Sequence, residues 1–156
     1  MKAICFYFEV HHPEQLRQYH FFDIGKQHDY FDYYRNRTEI EQLARDCYLP
    51  ANELLLELID RYKGRFKVAF SISGSAIELL ELHAPEVIHS FQALAKTGKV
   101  EFLCEPYAHS LSSLSSDTTE FERDVKRHIQ RIEELFGQTP VTFRNTSLIY
   151  SDSIGE

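Results

Sequence analysis

Apolar positions along the chain follow two periods. Short runs rich in aromatic and β-branched residues predict strands over 3–8, 66–72, 100–103 and 141–143. The last three follow Gly64, Gly98, and the pair Gly137 and Pro140. Runs this apolar suit strands covered on both faces. The gaps carry helical spacing. Pro50 suits a first helical position, Leu55, Leu58, Ile59 and Tyr62 fall at i, i+3, i+4 and i+7, and Gly64 can cap the end. Pro85 opens a second helix with Val87, Phe91, Leu94 and Ala95 on one face. The longest helix is expected over 119–136. Thr119 and Glu122 have capping-box spacing, Phe121, Val125, Ile129, Ile132 and Phe136 form the stripe, and Gly137 ends it. Shorter helices are expected near 38–47 and 75–82. Alternation of strand and helix predicts an α/β fold with a parallel sheet and right-handed crossovers. Four strands cannot close a barrel, so they form either a small open sheet or the first half of something larger. No linker or low-complexity stretch divides residues 1–156, which read as one domain.

Charge narrows the partners. The chain has 156 residues with 17 basic and 24 acidic groups, a formal charge of -7. An acidic surface without a basic stripe argues against nucleic acid. No stretch approaches a membrane span. The first apolar run is cut short by Glu9 and by His11 and His12, so no signal peptide is expected. Cys5, Cys47 and Cys104 are odd in number, far apart and set in apolar runs. They are expected to be buried free thiols in a reducing compartment, the cytoplasm.

In parallel β/α folds chemistry sits in the loops after the strands. Here those loops hold Glu9, His11 and His12, then Ser71, Ser73 and Ser75, then Glu105, Tyr107, His109 and Ser110, then Arg144, Asn145, Thr146 and Ser147. Such groups recognise sugar hydroxyls, although strand ends commonly meet polar turns. The segment 19–37 is too long for a routine connection. It carries Tyr19, Phe21, Phe22, Tyr30, Phe31, Tyr33 and Tyr34, which reads equally as a set of aromatic platforms or as a self-packed insertion. Adjacent His11 and His12 point to opposite sides of an extended chain and make a poor chelate. Glu105 and His109 alone are more often hydrogen-bonding partners than metal ligands. His83, His89 and His128 fall in helical patterns and read as surface or boundary residues.

Four blocks resemble glycoside hydrolase family 57, in its α-amylase-like branch. His11-His12-Pro13 resembles the family's His-Gln-Pro motif, and Phe21-Phe22-Asp23-Ile24-Gly25 the block after it. The stretches 101–111 and 143–152 resemble the second and third motif regions, and Tyr48-Leu49-Pro50-Ala51-Asn52 adds to the match. The resemblance implies an incomplete (β/α)7 barrel, of which this chain would supply the first four β/α units. It also implies retaining action on α-glucans such as maltooligosaccharides, with no metal or organic cofactor. Retention needs two carboxyls roughly 5–5.5 Å apart. The family reads Arg-Asn-Thr-Glu-Leu-Ile-Tyr, with that Glu as nucleophile, whereas this chain has Ser147 there. The acid/base Asp of the family lies beyond Glu156, and His12 replaces the motif's Gln.

The resemblance places His11, His12 and His109 at the sugar site. Arg144 and Asn145 would order the rim around Ser147, and Glu105 would bind substrate or a neighbouring loop. Ser147 is explained by natural degeneration, by a designed knock-out, or by a different nucleophile, with Glu105 nearest. The expected function is an α-amylase-like domain with catalysis disabled. Alternatives are a non-catalytic carbohydrate-binding or regulatory protein, and a metal-dependent polysaccharide deacetylase. A half-barrel ending at Glu156 would expose sheet edges and self-associate.

Overall fold

A computed structural model of the chain describes residues 4–63 and 65–155. Three parallel strands lie side by side in the order β1 (Tyr7–Val10), β2 (Val68–Ile72) and β3 (Val100–Phe102). Helices α1 (Tyr33–Leu43) and α2 (Leu49–Arg61) join β1 to β2 through a π-helical turn, Ala44–Tyr48. Helices α3 (Gly74–His83) and α4 (Pro85–Lys96) join β2 to β3. Helix α5 (Thr119–Phe136) follows β3, and a short α6 (Asp152–Gly155) ends the described part.

The register explains the packing. Phe8 pairs with Phe70, and Phe70 with Phe102. Their rings stack across the sheet, with centroids 5.4 Å and 6.1 Å apart. Phe136 of α5 continues the stack on Phe102 at 4.2 Å, and Phe91 of α4 meets Phe70 and Phe102 edge-on. Val10, Val68, Ile72 and Val100 join this face, and α2, α3, α4 and α5 cover it with Leu55, Ile59, Ile77, Leu80, Leu94 and Ile132. Because side chains alternate along a strand, Tyr7, Glu9, Ser71 and Glu101 must lie on the opposite face.

Several expectations change. The first strand starts at Tyr7 rather than residue 3, because pairing with Ala69 begins there, and this carries Glu9 and Val10 into the strand. Ala3, the Gly64 cap and Glu156 lie outside the described residues. The fourth strand is reduced to one parallel bridge between Cys104 and Phe143. Cys104 N–H donates to the Thr142 carbonyl and Arg144 N–H to the Cys104 carbonyl, and pairing goes no further. Among the described residues the sheet therefore has three strands and a bridge, where four β/α units were expected. Among the described residues the other edge of β1 has no partner strand.

The cap of α5 also differs. Asp117 Oδ1 accepts from the Thr119 N–H, so a carboxylate two residues before Thr119 takes the place of the expected Thr119–Glu122 box. Of the three thiols only Cys104 is buried, and Cys5 and Cys47 are exposed. Tyr62, expected on the apolar stripe, is exposed as well. The segment 19–37 divides. Tyr19 packs on Tyr30 and donates to the Asp23 and Gln27 carbonyls, while Phe21 and Phe22 stay 78% and 79% exposed. Among the described residues no helix is long and apolar enough to cross a membrane.

Tyr107, in the loop after β3, packs flat against Gly74 at the start of α3. A Cβ at residue 74 would come within 2.4 Å of that ring. The phenol donates to Glu78 Oε1 at 2.7 Å, and Arg127 lies over the ring at 3.7 Å. Burial, with Glu78 next, pushes its pKa up to about 12.

The aromatic stack should dominate stability. Phe102→Ala should cost about 3–5 kcal/mol in urea unfolding. Phe8→Ala, at the half-exposed end of the stack, should cost clearly less. Equal losses at the two positions would contradict this account.

Candidate functional site

The face opposite the phenylalanines delivers one polar cluster to the C-terminal edge of the sheet. Glu9 comes from β1 itself, His11 from just beyond it, Ser73 from beyond β2, and Glu105 and His109 from the loop after β3. Arg144 comes from beyond the Cys104–Phe143 bridge. Each of Glu9, His11, Ser73, Glu105 and Arg144 falls on the alternation phase opposite the packed rings. That phase is why residues so distant in sequence converge.

Arg144 is the cluster's tie. Its Nη2 donates to Glu9 Oε2 at 2.8 Å and its Nη1 to Glu105 Oε2 at 3.2 Å. Glu105 is fully buried, and the Arg144 side chain is only 9% exposed. His109 stands between the two carboxylates, with Nδ1 3.4 Å from Glu105 Oε2 and Nε2 3.6 Å from Glu9 Oε1. The His11 ring stacks on His109 with centroids 4.1 Å apart, and its Nδ1 lies 2.8 Å from Ser73 Oγ. Burial, and then His109, lower the His11 pKa below its usual 6.5. Ser73 also caps α3, accepting from the Ala76 N–H, so the imidazole is anchored to a helix start.

His128 of α5 supports the cluster from behind. It was expected at the surface but is completely buried. The Glu105 N–H donates to its Nδ1 at 3.3 Å, and its Nε2 lies 2.7 Å from the Ile72 carbonyl. These partners require a neutral ring with the proton on Nε2. Burial lowers its pKa, although hydrogen bonding to Ile72 opposes the shift. One imidazole thus fixes the end of β2 relative to the backbone of Glu105.

Not every expected residue joins. His12 turns away from His11, as adjacent positions should, and meets Glu39 Oε2 at 3.3 Å. Asn145 is buried in its own loop, donating to Ser113 Oγ and the Ile149 carbonyl at 2.9 Å each. Ser147 is exposed, with φ 52° and ψ 23°, and Leu148 after it is also left-handed. Among the described residues no hydrogen bond or ion pair joins Ser147 to the cluster. Ser110 bonds to Ser112 and Asp124 rather than to a histidine. Glu9 and Ser73, in contrast, belong to the cluster although neither stood out in sequence beyond its place at a strand end.

The buried pair yields one expectation. Arg144→Ala should destabilise the fold by about 3–5 kcal/mol, because Glu105 loses its counter-charge. The double variant R144M/E105L should recover much of that loss. Denaturant titration of both variants checks this, and a double variant as unstable as the single one would refute it.

His128 yields a second. Its folded pKa is depressed, so below the usual 6.5 the unfolded chain binds the proton first. Its contribution to stability is therefore complete above about 6.5 and declines as pH falls from there toward the lower folded value. The stability gap between the natural protein and H128Q should shrink over that window. A gap independent of pH would contradict the neutral bridge.

The profile of glycosyl hydrolase family 57 matches residues 5–156. A Methanocaldococcus jannaschii protein provisionally described as an α-amylase is 39% identical over 158 residues. That alignment covers 98% of this chain but 32% of the relative, so the chain spans about a third of its length. Among solved structures, the 4-α-glucanotransferase of Thermococcus litoralis superposes over 96% of this chain and 20% of its own, at TM-score 0.71 and 16% identity. A family 57 branching enzyme of Thermococcus kodakaraensis gives 0.63 at 9% identity, covering 91% of this chain and 32% of its own. The α-amylase AmyC of Thermotoga maritima gives 0.61 at 13% identity, covering 94% and 35%. At such identities these superpositions speak for the fold, while the profile match and the 39% relative speak for descent. The chain belongs to glycosyl hydrolase family 57.

Proposed function

We propose that this chain forms the N-terminal part of an α-glucan-binding family 57 barrel, and that Ser147 leaves it without retaining hydrolysis. One observation carries the reading: Glu9, His11, His109 and Arg144 converge at the strand-end edge, on the face opposite the packed phenylalanines. Carboxylates, imidazoles and a guanidinium offer a polyol both acceptors and donors at short range. Glu105 would act from behind, orienting Arg144 and His109 rather than touching the sugar, because it is fully buried. That burial also weighs against Glu105 as a replacement nucleophile.

The disabled step follows from chemistry at residue 147. Retaining hydrolysis needs a carboxylate to attack the anomeric carbon and to stabilise a cationic transition state. A serine hydroxyl carries no charge and is a poor nucleophile without an adjacent base. The cluster's two carboxylates are both tied to Arg144, and neither sits at the position that matches the family's nucleophile.

The test uses the longest natural form of the protein. The natural sequence should bind maltoheptaose saturably in calorimetry and release no reducing ends, and Ser147→Glu should gain hydrolysis. Turnover by the natural sequence would overturn the disabled reading. A folded S147E variant that binds maltoheptaose but stays inert would remove residue 147 from the nucleophile role.

A further inference from the structure

Glu9, Glu105 and His109 each offer one ligating atom, and these atoms lie within 4.8 Å of one another. Arg144 engages the Oε2 atom of both carboxylates and neither Oε1 atom. Glu9 Oε1 and His109 Nε2 are 3.6 Å apart, too far for a good hydrogen bond. Two ligands at about 2.0–2.1 Å from a tetrahedral zinc ion sit about 3.3 Å apart, so little movement would seat an ion between them.

An independent observation points the same way. Glu105 has no exposed surface, yet among the described residues its Oε1 has no hydrogen-bond partner. A buried carboxylate oxygen without a partner is costly, and a cation would satisfy it. Two carboxylates facing one guanidinium leave one negative charge uncompensated for an added cation to meet. His11 cannot share the ion with His109. Coordination lies in the ring plane, and the two rings are stacked at 21° to each other. His11 instead forms a wall of the site.

We propose that Glu9, Glu105 and His109 hold a divalent cation of the zinc class, with nitrogen and oxygen ligands only. This goes beyond glucan binding, and neither reading depends on the other.

Zinc titrated calorimetrically into the full chain tests it, in a C5S/C47S background because exposed thiols bind zinc themselves. Cobalt substituted for zinc provides a spectrum. The expected results are one ion per chain and d–d bands without thiolate charge transfer. Affinity should fall tenfold or more in E9Q, and likewise in H109N, whose asparagine tolerates the left-handed backbone at φ 52°. H12Q, on the far side of the chain, should bind like its parent. No saturable binding, or undiminished binding in folded E9Q and H109N, would overturn the site. Maltoheptaose binding measured without metal keeps failure of this proposal distinct from failure of the glucan reading.

Discussion

The stacked rings of Phe8, Phe70, Phe102 and Phe136 set the phase of the molecule. In a parallel sheet the side-chain period is two, and a slip of one residue turns every side chain over. With the rings fixed against α4 and α5, the intervening positions have no choice of face. Glu9, Ser73 and Glu105 reach the opposite edge because they fall on the other phase from Phe8, Phe70 and Phe102. The polar cluster is the complement of the aromatic core, and the two cannot be shifted independently.

That complement carries an energetic load. Glu105 and His128 are both fully buried, and each survives through specific partners. Arg144 supplies the counter-charge to Glu105, while His128 remains neutral by accepting from one backbone group and meeting another. Buried polar groups of this kind add little net stability but are expensive to leave incomplete. They therefore hold β2, the loop after β3 and the segment at Arg144 in one arrangement. The proposed sugar recognition would draw on such order, since a loose donor loses its directional advantage.

Much of this was legible in sequence. Turn residues and apolar runs located the strands and the main helices, and each strand end pointed to polar residues. Family resemblance in the blocks around His11, Glu105 and Ser147 agrees with the profile match over residues 5–156. What escaped depends on tertiary partners. His128 lies on the buried stripe with Phe121, Val125, Ile132 and Phe136, but its residue type argued for the surface. Nothing local to α5 shows that a carbonyl and an N–H await it there. The fourth strand looked as apolar as the third, yet it pairs only at Phe143. Cys5 lies ahead of the first paired strand residue, in a run where Ile4 and Phe6 are exposed as well. The aromatic segment was ambiguous because Tyr19 and Tyr30 pair within a hydrogen-bonded turn, whereas Phe21 and Phe22 pair with each other and stay exposed.

Gly74 and Tyr107 carry a consequence for how the sequence can vary. The ring fills the space where a side chain at residue 74 would begin. A methyl group added there first meets the ring, whereas a smaller residue at 107 first leaves a void and frees Glu78 and Arg127 from their partner. Either order passes through a less fit intermediate, and only the route that shrinks before it fills avoids a collision. Along lineages the two positions should therefore behave as a single inherited character, changing together or not at all.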